Sequence, residues 1–243
     1  MYSPTMADSD RLDRHLNQLG ASLFFHTTTL ATAAADGVTD IFVLYAAGRA
    51  GVMGDVGAGQ AAASLGFFPE SLVRELWRQA EALMPPRRIA RIYATAMATA
   101  AREIWDEGAA IDVVDLGTAV AESVPLLGLP LFAGWRELPR PDDPAGAAAL
   151  VVHTLRELRG EIHTQSVASN GLHPLEAEVV SRGDEGAALH QWPRPWPEPG
   201  PFEEQVAAAD VATGERMRRI YGRSIGGDGV ARLTAAAERL TRS

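Results

Sequence analysis

The sequence predicts an all-α fold, an irregular multi-helix bundle, and three observations carry that expectation. Apolar residues recur at spacings of three, four and seven over most of the chain, as on one face of a helix. Proline and glycine stand between these segments, where helices start and stop. The one stretch that could hold a strand, residues 111 to 133, finds no second strand to pair with, so helix is favoured there as well.

The elements follow in order. Ser9 is placed to cap a first helix whose stripe is Leu12, Leu16, Leu19, Leu23 and Leu30, with His26 on the same face. Asp36-Gly37 ends it, and Thr39 is a cap for "DIFVLYAAGRA". The glycine-rich "GVMGDVGAG" lacks the Gly-Lys-Ser/Thr ending of a phosphate-binding loop and reads as a helix-to-helix turn that needs positive φ. Helices follow from Pro69 and from the Pro85-Pro86 pair, each with proline in the first turn. "LPRPDDPAG" is a clear break, and Asp143-Pro144 pairs an N-cap with a first-turn proline at the start of a long helix. Beyond Gly171 a further helix is expected, bent at Gly183. "WPRPWPEPGPF" reads as an arm packed on the body, because its prolines fix φ and remove donors. Two short amphipathic helices end the chain. The expected division is a helical ligand or active-site domain over 1–190, with the arm and last helices over 191–243 packed on it as one domain overall.

The long helix carries "LRELRGEIHTQS". On a wheel at 100° per residue, Val151, Leu155, Leu158 and Ile162 form an apolar stripe, while Val152, Arg156, Arg159, Gly160 and His163 fall nearly opposite. A mid-helix glycine costs roughly 1 kcal/mol against alanine, so its use there predicts that something comes close to the backbone. Two arginines beside a histidine hold a sulfate, phosphate or carboxylate readily, and histidine moves protons near neutral pH. Glu157 and Glu161, one turn apart, could neutralise the arginines or accept a substrate amine; the plain alternative is an exposed, salt-bridged face, with His153 and Glu157 as one surface pair. His26, similarly, is either a core histidine or a catalytic one.

Composition removes several chemistries. The 243 residues contain no cysteine, and all 22 basic residues are arginine. Disulfides, thiolate catalysis, Cys-ligated zinc, Schiff bases and phosphate-loop lysines are therefore excluded. No histidine–carboxylate set has metal-ligand spacing, so no metal and no cofactor is expected. The formal net charge of −9 argues against a nucleic-acid partner. With no run of about 20 apolar residues and no signal-peptide pattern at the N-terminus, a soluble cytoplasmic protein is expected.

Two segments, "YAAGRAGVMGDVGAGQAAASLGFFP" and "LRELRGEIHTQSVASNGL", carry a resemblance to an actinobacterial all-helical family often described as helix-turn-helix or MarR-like proteins. The similar positions are Gly48, Arg49, Gly54, Phe68 and Pro69, then Arg159, Gly160 and His163, over roughly residues 20 to 190. Members of that family usually continue into a winged-helix portion, which the proline–tryptophan arm replaces here. In overall character the chain is also similar to the paired proteins that form aziridine rings in azinomycin-type antibiotic biosynthesis, although no motif maps onto them.

These resemblances imply a metal-independent lyase, acting in secondary metabolism on a small anionic amine, which could be bound to a carrier protein. Aziridine formation by displacement of sulfate is the named reaction. His163, Glu161, Tyr45 and His26 are then the catalytic candidates, with Arg49, Arg156 and Arg159 as substrate-binding residues. A homo- or heteromer with a second subunit is expected. The competing expectation is a ligand-sensing regulator of the helix-turn-helix class, or a non-catalytic partner subunit.

Overall fold

In the computed structural model, residues 4 to 242 are described, and they contain twelve α-helices and no strand. The helices are α1 (Met6–Phe25), α2 (Thr27–Ala35), α3 (Ile41–Ala50), α4 (Ala58–Ser64), α5 (Glu70–Leu83), α6 (Pro86–Ile104), α7 (Glu107–Ser123), α8 (Pro130–Glu137), α9 (Pro144–Ser169), α10 (Pro174–Leu189), α11 (Glu203–Ser224) and α12 (Gly226–Arg242). No single one is long and apolar enough to cross a membrane.

Helix α9 is the axle. At 26 residues it is about 39 Å long, and it packs on α1, α6, α7, α8, α10 and α11. The expected stripe of Val151, Leu155, Leu158 and Ile162 is fully buried, and so are Val152, His153 and Glu157 on other sides. An amphipathic surface helix is therefore the wrong description. Alanines 145 and 147–149 keep the first turns slim, so neighbours close in around them. Gly117 of α7 shows how near: a Cβ there would lie 2.4 Å from Val151 Cγ1. Trp77, Trp135, Tyr93, Phe132 and Tyr221 fill the space between helices, each such ring contributing roughly 1.5–3 kcal/mol by burial.

Local signals set most boundaries as expected. Asp143 caps α9 through the Gly146 N–H at 2.8 Å, with Pro144 in the first turn. Gly54 takes φ +84° in the turn after α3, and Gly183 bends α10 at φ +63°. Four expectations need correction. Thr5, not Ser9, caps α1, exchanging hydrogen bonds with Asp8, while Ser9 is buried inside the helix. The stripe through Leu30 is broken at His26, whose Nδ1 accepts from the Thr28 N–H and so starts α2. Asp40, not Thr39, caps α3, because its carboxylate reaches the N–H groups of both Phe42 and Val43. The last two helices, at 22 and 17 residues, are long, and they pack on α1, α7 and α9.

Helix α4 was not expected at all. Its seven residues are mostly alanine, too short and too weakly patterned to stand out. Gln60 reaches back to the Gly57 N–H at 2.9 Å to start it, and Ala61, Ala62 and Leu65 are buried. α4 leaves the direction of α3 by 100°. A turn through Leu65–Pro69 then leads into α5, whose Val73, Leu76, Trp77 and Ala80 form one buried face.

Candidate functional site

The polar face of α9 separates into a closed half and an open half. In the closed half, Arg49 of α3 forks onto Glu157, Nε to Oε1 at 2.6 Å and Nη2 to Oε2 at 2.8 Å. Its third arm, Nη1, donates to the Tyr45 hydroxyl at 2.9 Å. Trp135 Nε1 donates to the Arg49 backbone oxygen at 3.0 Å and pins that turn of α3. His153 Nε2 approaches Glu157 Oε1 to 3.2 Å but lies off the line of a hydrogen bond, and its Nδ1 has no partner. His153 is wedged against the Tyr93 and Trp135 rings.

This is a desolvated ion pair, and its electrostatics follow from burial. Burial works against the Glu157 anion, but Arg49 outweighs it and holds the carboxyl well below the usual range. Burial likewise opposes the Arg49 cation, and Glu157 more than restores it. Burial keeps His153 below the ordinary histidine value in spite of Glu157. Burial would raise the Tyr45 phenol, yet Arg49 and then Arg156 pull it below its usual value. Both guanidinium groups therefore face one hydroxyl.

Arg156 is the exception in this cluster. It passes over α1 where Gly20 leaves room, since a Cβ at Gly20 would lie 2.6 Å from Arg156 Cδ. Its Nη1 is buried without a hydrogen-bond partner, and no carboxylate among the described residues pairs with it. Tyr93 Oη is buried without a partner too, and burial holds that phenol above its usual value. One turn on, Gly160 looks into open space: a Cβ built there meets nothing within 4 Å.

The remaining candidates lie elsewhere. Arg159 Nε donates to Asp13 Oδ2 at 3.1 Å, and Tyr221 of α11 donates to Asp13 Oδ1 at 2.5 Å. These bonds tie α9, α1 and α11 together. His163 stacks on Phe67, with ring centres 5.3 Å apart and planes 7° apart. Its Nδ1 lies 3.3 Å from Thr213 Oγ1, a hydroxyl whose own proton is donated to Ala209 O, so the ring nitrogen is the donor. Glu161 accepts the N–H groups of Leu131 and Phe132, both at 2.9 Å, and thereby caps α8 from outside. Burial raises its carboxyl to about 7 against those two bonds.

The expected grouping is thus redrawn. Tyr45, Arg49 and Arg156 come together, joined by Glu157, for which the spacing allows both an arginine partner and a surface pair with His153. Arg159 does not share their site, because it points to α1 and finds Asp13 there, whereas His163 turns its Nδ1 to α11 and lays its ring against Phe67. His26 is a helix cap and Glu161 another. Asp13 and Tyr221 were missed, since nothing in the spacing of one buried aspartate or one tyrosine marks it as a partner from a distant helix. Among the described residues no group of three His, Asp or Glu residues is arranged to hold a metal ion.

The turn before α5 joins this region to the surface. Phe67 packs on His163, Phe68 on Tyr45 and His190, and Gly66 lies against Thr164. The arm closes over it, as Trp192 Nε1 donates to Phe67 O at 3.1 Å. A short helix, a turn and a longer helix with one exposed side are the parts of a helix-turn-helix. The chain belongs to a helix-turn-helix family, whose sequence profile matches residues 9–200. No curated protein and no solved structure matches it.

That membership corrects two expectations. The lyase of antibiotic biosynthesis gives way to the regulator that was its alternative, and nucleic acid can no longer be set aside as a partner. Net charge misled because it sums the whole surface. From Glu70 to Arg91 the chain has five arginines, Arg74, Arg78, Arg87, Arg88 and Arg91, against three glutamates, and all five are exposed.

Proposed function

We propose that the protein is a ligand-responsive regulator that reads duplex DNA with α5. The observation that carries this is the α4–turn–α5 unit inside a chain of a helix-turn-helix family. In such units the second helix enters the major groove and its exposed side chains touch base edges. The exposed side chains of α5 include Ser71, Arg74, Arg78 and Gln79 beside Glu70 and Glu81, with Arg87, Arg88 and Arg91 of α6 placed for backbone phosphates. In the free protein Arg74 is paired with Glu70 and Arg78 with Glu75. Exposed pairs of this kind are worth at most about 1 kcal/mol and exchange readily for phosphate or guanine. Sensitivity to a ligand follows from the turn, which rests on the polar seam of α9 rather than on solvent.

The test is selection from a pool of random duplexes with the full chain, followed by affinity measurements on the enriched sequence at two salt concentrations. Sequence-dependent retention is expected. Arg74→Ala and Arg78→Ala should each weaken it by about 5- to 150-fold, the range for one lost base contact, with helical content unchanged. No enrichment over competitor DNA at low salt, or full affinity in both variants, would sink this reading.

A further inference from the structure

We infer that the open space over Gly160 is the effector site and that its ligand is a small, flat organic carboxylate. The inference rests on the regulator reading and names the ligand class for it. The contacts around Gly160 close into a ring. Arg156, four residues earlier on α9, faces the Tyr45 hydroxyl. Tyr45 packs on Phe68 at 5.5 Å, Phe68 adjoins Phe67, and Phe67 stacks on His163, which returns to α9 three residues past Gly160. Residues three and four apart share one helix face, so Gly160 is the floor between two walls, and nothing fills the place of its side chain.

Charge sets one end of the ligand. Arg49 is neutralised by Glu157, whereas Arg156 has no carboxylate and a buried, unpartnered Nη1. A guanidinium in that state favours an anion with two oxygens in a plane. Tyr45 supports the same choice. Its oxygen already accepts from Arg49 Nη1, so its own O–H is free to donate to a carboxylate oxygen beside Arg156. Shape sets the other end. Phe67 and His163, stacked on each other, and Phe68, tilted against Tyr45 and His190, leave ring edges as the apolar wall, which suits a planar group, while a bare inorganic anion would leave it unused. A ligand seated there touches Phe67 and Phe68, the residues that hold the turn before α5, so occupancy and the placing of α5 are mechanically joined.

The experiment measures binding to the full chain by calorimetry and by the shift in melting temperature. Benzoate and 2-naphthoate are the probes, with benzamide and sulfate as neutral and inorganic controls. The carboxylates should bind, and both controls should bind at least about tenfold more weakly. Gly160→Leu should keep the wild-type fold and a melting temperature no lower than wild type, since the site is open and leucine is the better helix former, and should lose binding by about 100-fold or more. Arg156→Met should weaken binding by about 10- to 150-fold, the loss expected for one charge-assisted contact. The inference is overturned if neither arylcarboxylate binds below about 10 mM, if Gly160→Leu binds like wild type, or if sulfate matches benzoate. Because DNA takes no part in these measurements, the two readings fail separately. Binding without DNA recognition removes the regulator, and DNA recognition without carboxylate binding removes only the effector site.

Discussion

Two arginines face the same tyrosine, and their surroundings differ in one respect. Arg49 meets Glu157 in a two-pronged pair, whereas Arg156 meets no carboxylate. The first is a structural joint between α3 and α9, fully balanced in charge. The second is a half-buried cation with one buried, unpartnered nitrogen, beside a glycine whose missing side chain nothing replaces. A fold under selection for stability alone would fill such a gap or remove such a charge. Within a few residues of α9, the balanced half thus marks architecture and the unbalanced half marks a place kept for a ligand.

The largest effect should come from breaking the balanced half. Glu157→Ala leaves the largely buried Arg49 without a carboxylate, and loss of one member of a buried pair costs about 3–5 kcal/mol. Urea unfolding should show that drop; a loss under 1 kcal/mol would mean that water reaches Arg49 and that the pair is no joint.

A middle effect concerns Glu161, one turn beyond Glu157, which is buried with backbone donors but no adjacent guanidinium. Its folded pKa, about 7, lies above the ordinary 4.5. The folded state therefore holds the proton more tightly, so this group's contribution is full below about pH 4.5 and is lost as pH rises through 7. The difference is at most about 3 kcal/mol. Glu161→Gln should flatten the wild-type decline in stability between pH 5 and 8, measured by denaturant midpoints. An unchanged slope would show that the carboxyl ionises freely in the folded chain.

The smallest effect, and the one that separates the halves most clearly, is at Gly160. Replacing a helical glycine with alanine in open space should raise stability by up to about 1 kcal/mol, seen as a higher melting temperature. A destabilised Gly160→Ala would mean that the crevice is already closed and that the contrast between the two halves is false.

Much of the fold was legible because helices announce themselves locally. Asp143-Pro144, the Pro85-Pro86 start, Gly183 and the stripe on α9 depend on residues within a few positions of each other. Periodicity could not show that α9 is buried on its polar side as well, because what covers that side, α1, α3 and α11, comes from distant parts of the chain. For the same reason spacing leaves open whether Glu157 pairs with His153 at the surface or neutralises an arginine, when a residue 108 positions away decides it.

What the sequence determined by itself was the class of fold, most helix starts, and the exclusion of thiol and lysine chemistry, all of which follow from residue type and short-range spacing. The tertiary structure alone decided which polar residues meet. Arg49 finds Glu157 at 2.6 Å and Arg159 finds Asp13 at 3.1 Å, and Arg156 is left over. A charge pairs with whatever the packing of apolar faces brings within a few ångströms, and no local pattern encodes that distance.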